Sequence, residues 1–161
     1  MRKQKGFSLI ELLIVVAIIL VIAAIAIPNL MKSRIAANEA SAVGSLRAIN
    51  NAEVTYNTSY STYTCTLTAL GPGSGGGSAA SSAAAQILDA NLSSGSKSGY
   101  TFVPGTCNVS STGVTNGYQW SANPISPGYS GSRYFCTDDT FNVSVDPNSA
   151  ANCLTIGSPV G

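Results

Sequence analysis

Hydrophobic positions divide this chain into three stretches with different periods. From Phe7 to Ile27 the run is apolar, with only Ser8 and Glu11 interrupting it, and from Leu12 to Ile27 no polar side chain occurs. Helical at 1.5 Å rise per residue, that run reaches about 31 Å, the thickness of a bilayer hydrocarbon core. Beyond Asn29 the pattern becomes amphipathic: Val43, Leu46 and Ile49 form one stripe, Ala36 and Ala40 lie near it, and Lys32, Glu39 and Arg47 are expected to stay in water. One helix continued from Phe7 to about Tyr56 would be roughly 75 Å long. Its first half would protrude as a naked apolar rod, and its second half would dock on a head.

The head reads as strand and turn. Gly71 to Ser78 is Gly/Ser-rich and reads as a flexible connector, without the Lys-Ser/Thr ending of a phosphate loop. Ala79 to Leu92 is expected to form a short helix, with Ala84, Ile87, Leu88 and Leu92 on one side. Strands are predicted near Tyr100–Val103, Gly117–Ala122, Ser132–Thr137 and Phe141–Val145. Tyr118, Trp120 and Ala122 share one face of their strand, and Phe141, Val143 and Val145 one face of theirs. Asp138-Asp139-Thr140 is a short connection, so the last two strands should be antiparallel neighbours. The fold class is therefore α+β: a long N-terminal α-helix packed on a small antiparallel sheet of three or four strands, which buries both apolar stripes.

Composition narrows the chemistry. The 161 residues suit one ordinary domain, yet only 9% are charged, against about 25% for a typical soluble domain. Histidine is absent, which argues against Ser-His-Asp triads and His-ligated metals. No cofactor is implied, and no catalysis is expected. Arg2, Lys3 and Lys5 hold three of the eight basic residues; the remaining five against seven acidic give −2, so no dedicated nucleic-acid site is evident. Asp138, Asp139 and Asp146 lack the ligand spacing of a calcium loop and read as turn acids. The triplets at Asn57, Asn91, Asn108 and Asn142 read as composition in a Ser/Thr-rich head. Tyr56, Tyr60 and Tyr63 read as packing residues.

Four cysteines, all downstream of the apolar run, allow three pairings. If the run is a membrane signal, they reach an oxidising compartment and two disulfides follow. Cys136 with Cys153 is the expected pair, closing a modest loop over the final hairpin. Cys65 with Cys107 follows by elimination and ties the end of the long helix to the sheet.

Three readings compete for the N-terminus. A secretory signal could be cut after Ala24-Ile25-Ala26, leaving a mature start at Ile27. A single-pass anchor fits the length and the basic flank equally well. Neither accounts for Glu11, because an acid inside an apolar span costs roughly 2.5 to 3.5 kcal/mol on insertion scales. Lys5-Gly6-Phe7-Ser8-Leu9-Ile10-Glu11, followed by the unbroken run and Pro28, resembles the class III signal of type IV prepilins and of type II secretion pseudopilins. Ser33 to Asn50 also resembles the corresponding helix of major pilins.

The resemblance implies a type IV pilin fold and an order along the chain. Residues 1–6 would be a leader, 7–28 the transmembrane and filament-core helix, 29–63 its amphipathic half and 64–161 the head. It implies cleavage between Gly6 and Phe7 and methylation of the new Phe7 amine by a prepilin peptidase/N-methyltransferase. Glu11 would set register by meeting a neighbour's amine. Pro28 is expected to kink the helix, or else to end it, since it removes the hydrogen bond to the Ala24 carbonyl. Leu20 departs from the family, many of whose members have glycine there, and so weakens the case for unwinding before Pro28. Implied partners are copies of this chain in a homo-oligomeric filament, an inner-membrane platform protein and an assembly ATPase. The subunit would sit in the inner membrane before assembly and at the cell surface afterwards; the alternative is a type II secretion pseudopilin.

Overall fold

A computed structural model describes residues 6–73, 79–149, 153 and 157–160. The basic leader residues 1–5, Ser74–Ser78 of the predicted connector and most of the C-terminal tail lie outside the described residues. The chain divides into two compact units, Met1–Arg34 and Ile35–Gly161.

The long helix α1 runs Leu9–Tyr60. Its part within the first unit carries the apolar run. Every large side chain described there is exposed, from Val16 at 46% to Phe7 at 82%. It is the one helix among the described residues long and apolar enough to cross a membrane. Pro28 sits inside α1 without ending it, so the expectation of a helix stop is overturned. Nearby polar side chains turn back onto the backbone: Asn29 donates to the Ile25 carbonyl at 3.2 Å and Ser33 to the Asn29 carbonyl at 3.0 Å.

In the second unit the predicted stripe is the buried one. Leu46 and Ile49 are fully enclosed, Val43 nearly so, and Ala42, Ala52 and Tyr56 extend the stripe. Ala36 and Ala40 stay exposed instead. Glu39, expected to stay in water, is 5% exposed, because it has partners on the sheet that its own helix does not reveal. α1 packs on a six-stranded sheet in which every neighbouring pair is antiparallel. Its strands are β1 (Ser96–Lys97), β2 (Tyr100–Pro104), β5 (Gln119–Pro124), β6 (Tyr134–Asp138), β7 (Val143–Asp146) and β8 (Ser158–Pro159), in that spatial order. A separate pair, β3 (Asn108–Val109) and β4 (Thr115–Gly117), flanks it in sequence between β2 and β5.

Alternation explains the central strands. Trp120, Ala122 and Pro124 are buried along β5 while Gln119, Ser121 and Asn123 are half-buried. Tyr118 lies between β4 and β5 and is also buried. The sheet is larger than the three or four strands expected, since β1 and β8 are two-residue edges too short to leave a periodic signal. β6 and β7 pair as antiparallel neighbours, Phe135 opposite Val145. Phe141, expected on the apolar face of the last strand, lies before β7 in the turn, with φ +67° and half exposed.

The predicted helix over Ala79–Leu92 contracts to α3, Ala90–Ser93, capped by the Asp89 carboxylate on the Leu92 N–H. The reason is tertiary. Backbone N–H groups of Ala85, Ile87 and Leu88 donate to carbonyls of Ala69 and Leu70 at 2.7 to 2.9 Å, and Gln86 takes φ +60°. Those carbonyls belong to α2, Leu67–Leu70, and a strand-like pairing with α2 displaces the local helix.

Candidate functional site

Gly6 and Phe7 precede α1, are exposed, and lie in no regular element. A β-carbon built on Gly6 would meet nothing within 4 Å, so the chain itself does not require glycine there. What a glycine supplies at such a junction is an unobstructed approach for another molecule. Phe7 is the most exposed large apolar residue described.

Ser8 and Glu11 form a capping arrangement that the sequence reading missed. The Glu11 carboxylate accepts from the Ser8 backbone N–H at 2.9 Å, and the Ser8 carbonyl accepts from Leu12 N–H. The signal was present as Ser-x-x-Glu before an apolar run, the capping-box pattern. Glu11 therefore has a local role: it satisfies one of the free N–H groups at the helix start and places negative charge at the positive end of the helix dipole. Cutting between Gly6 and Phe7 would put a cationic amine one residue before this cap. Such an amine and Glu11 lie one helical turn apart along the chain, close enough to favour each other or the groups of a second chain.

The second unit is held by buried polar clamps. Glu39 accepts from Ser132 N–H at 2.9 Å and Ser132 Oγ at 2.8 Å, and its other oxygen pairs with Arg133 at 2.6 to 2.8 Å. Burial raises its pKa, but the Arg133 and Ser132 hydrogen bonds outweigh that and hold the carboxyl below its ordinary range. Glu53 is fully enclosed and has no cation beside it. It accepts from Trp120 Nε1 at 3.0 Å and from Thr64 N–H at 2.9 Å. Here burial prevails over the two hydrogen bonds and pushes the pKa up to about 7. Asn50 completes the row, donating to Thr137 Oγ1 at 2.8 Å and accepting from Tyr118 at 3.3 Å.

The structure joins Cys136 to Cys153 with Cα atoms 6.0 Å apart and Cys65 to Cys107 with Cα atoms 6.4 Å apart. The first bridge is buried, with Cys136 in β6. The second is half-buried and joins the segment after α1 to the segment after β2. Thr64, which donates to Glu53, is the neighbour of Cys65, so clamp and bridge restrain the same turn. Among the described residues no group of three or more Cys, Asp or Glu side chains is placed to hold a metal ion.

Comparison with known proteins gives this segment a context. Residues 1–27 match the family described as "Prokaryotic N-terminal methylation motif". The chain is 43% identical over 70 residues to the type IV wide pilus major component PilA4 of Thermus thermophilus, covering 44% of this chain and 53% of that protein. It is 38% identical over 66 residues to the type II secretion system core protein G of Vibrio cholerae, covering 41% and 45%. With the type IV major pilin protein PilA of Myxococcus xanthus it shares 44% over 54 residues, covering 34% and 24%. The matched stretch thus spans about half the length of the first two relatives. These relatives are structural pilin and pseudopilin subunits, not enzymes, and the methylation motif fits both groups. An apolar N-terminal helix with such relatives fits membrane anchoring and a surface filament.

Proposed function

We propose that this chain is the structural subunit of a type IV pilus, cut and methylated at its N-terminus, held in the inner membrane by α1, and then assembled into a helical surface filament. The observation that supports it best is the N-terminal segment. A methylation motif over residues 1–27 coincides with an exposed Gly6–Phe7 junction, a capped helix start at Ser8–Glu11 and an apolar helix with no cover inside the chain. Identity of 43% with a pilus major component supports the pilus over other filaments.

The mechanism is packing. An apolar face that finds no partner in its own chain is stable only in lipid or against other copies, and exchanging lipid contacts for helix contacts lets a subunit leave the membrane. Apolar contacts are interchangeable along a helix, so something polar must choose the stagger. Glu11 of one copy and the Phe7 amine of another supply that choice, since a buried pair satisfied in one register is unsatisfied in the others. Pro28 contributes a kink. A prepilin peptidase/N-methyltransferase, an inner-membrane platform protein and a cytoplasmic assembly ATPase are the partners this scheme needs.

A pseudopilin of a type II secretion system is the second reading, favoured by the similarity to core protein G of several bacteria. Shearing cells and identifying the surface polymer separates the two: long filaments built of this chain support the pilus, and their absence in cells that secrete through this chain supports the pseudopilus. N-terminal sequencing tests what both share. The expected mature start is methylated Phe7, and a start at Ile27 overturns both. Replacing Gly6 with a bulky residue should leave uncut precursor in the membrane.

A further inference from the structure

Two features of the second unit have no purpose within a single chain. The first is a groove of about 360 Å³ beside α1, floored by Val43 and Phe135, with Ala36, Ala40 and Gly44 along its helical wall. These three small residues are exposed and four apart, so they form one row without side chains to keep a visitor away. Gly44 lies inside a helix, where glycine is less favourable than alanine, yet an added β-carbon would meet nothing within 4 Å. No packing inside the chain requires it. Arg47 and Arg133 line the groove and are exposed, while Glu39 is already matched by Arg133.

The second is the β6–β7 turn. Phe141 is 47% exposed with φ +67°, a backbone region that bulky side chains rarely occupy and that glycine or asparagine would hold at lower cost. Asp139 in the same turn is exposed. The turn thus presents an aromatic ring and a carboxylate, and the groove presents an apolar floor and two guanidinium groups. Their chemistries are complementary.

Placement makes the pairing intermolecular. Glu39 of α1 holds Ser132 and Arg133 at the start of β6, and Asn50 holds Thr137 near its end. The groove and the turn are therefore offset along α1 by eleven residues, or about 16 Å at 1.5 Å per residue. A contact between different patches on two copies leaves each copy with one unmet turn and one unmet groove. Such a contact propagates into an open polymer and does not close as a dimer.

We infer that the β6–β7 turn of one copy docks in the α1 groove of the next, Phe141 entering between Gly44 and Phe135 and Asp139 meeting Arg47 and Arg133. This rests on the reading of the chain as a filament subunit and names a contact between its second units. A turn covers less area than a stable pair of proteins needs, so the contact acts in the assembled polymer, where many weak contacts combine.

The test uses the full chain in producing cells. With a photo-reactive benzophenone at position 141, irradiation of assembled material should give a covalent dimer whose cross-link maps to residues 36–47 or 133–135. Asp139→Arg and Arg47→Asp should each lower recovered filaments about tenfold, and the double variant should return to within about twofold of wild type. Phe141→Gly relieves the backbone and should raise the melting temperature while lowering filament yield, which a residue serving only its own turn would not do. Cross-links mapping elsewhere, or wild-type yields from these variants while filaments form, overturn the contact and leave the filament reading standing. Absence of any polymer from the wild-type chain overturns that reading and the contact together.

Discussion

Two parts of α1 obey the same backbone rules and opposite side-chain rules. In the part within the first unit, leucines and isoleucines stand exposed on all sides and the described acid, Glu11, is used at the helix start. In the part within the second unit, the apolar residues occupy one stripe, and two acids, Glu39 and Glu53, are buried with partners from the sheet. A helix that is apolar all round must be covered by something outside its chain, whereas an amphipathic one is covered by its own head. The difference identifies which part is for assembly and which for folding.

The largest test of that division is Leu46→Ala. Leu46 is fully buried, and its truncation should cost about 3 kcal/mol of head stability, read by denaturant unfolding of the detergent-solubilised chain. Ile14→Ala in the exposed part should move the same transition by less than about 0.5 kcal/mol and instead lower assembly. A matching loss from Ile14→Ala would show that the two parts are not separate in role.

Next in size are the bridges. Removing Cys136–Cys153 by a double Ser substitution should cost about 3 kcal/mol, the chain-entropy value for a loop of this size. The half-buried Cys65–Cys107 bridge should be reduced first when dithiothreitol is titrated, followed by mass spectrometry of alkylated thiols. Earlier reduction of the buried pair would contradict the packing around Cys153.

Glu53 gives a pH dependence of about 3 kcal/mol at most, taking its pKa from 4.5 to about 7. Between those values the folded state binds more protons than the unfolded one, so head stability should fall as pH rises from 4.5 to 7 and level off above. Glu39 acts in the other direction: its folded pKa is lowered, so its contribution is present above the ordinary carboxylate range and is lost as pH falls below it. The head should therefore be most stable in mildly acidic solution, and Glu53→Gln should flatten the upper slope. A slope surviving that substitution would place its origin elsewhere. The smallest effect is at the helix start, where Ser8→Ala should cost about 1 kcal/mol or less and show as faster amide exchange in the first turn.

Local signals carried the N-terminal segment. The Gly6–Phe7 junction, Glu11 and the unbroken apolar run are neighbours in sequence, so a short window displays their chemistry together. The amphipathic stripe at Val43, Leu46 and Ile49 and the alternation around Trp120 were legible for the same reason: a repeat of 3.6 or 2 residues records which side faces inward. Even the Ser8–Glu11 cap was written in a four-residue pattern.

What only the tertiary structure decided depends on residues far apart along the chain. Trp120 lies 67 positions from Glu53 and Arg133 lies 94 from Glu39, so neither acid could be seen as buried from its own helix. The stretch before α3 has the composition of a helix, and only the carbonyls of Ala69 and Leu70 made it extended. Phe141 alternates correctly for a strand, yet the turn claimed it. In each case periodicity states a preference of a few tenths of a kcal/mol per residue, and a distant hydrogen-bond partner or a chain reversal outweighs it.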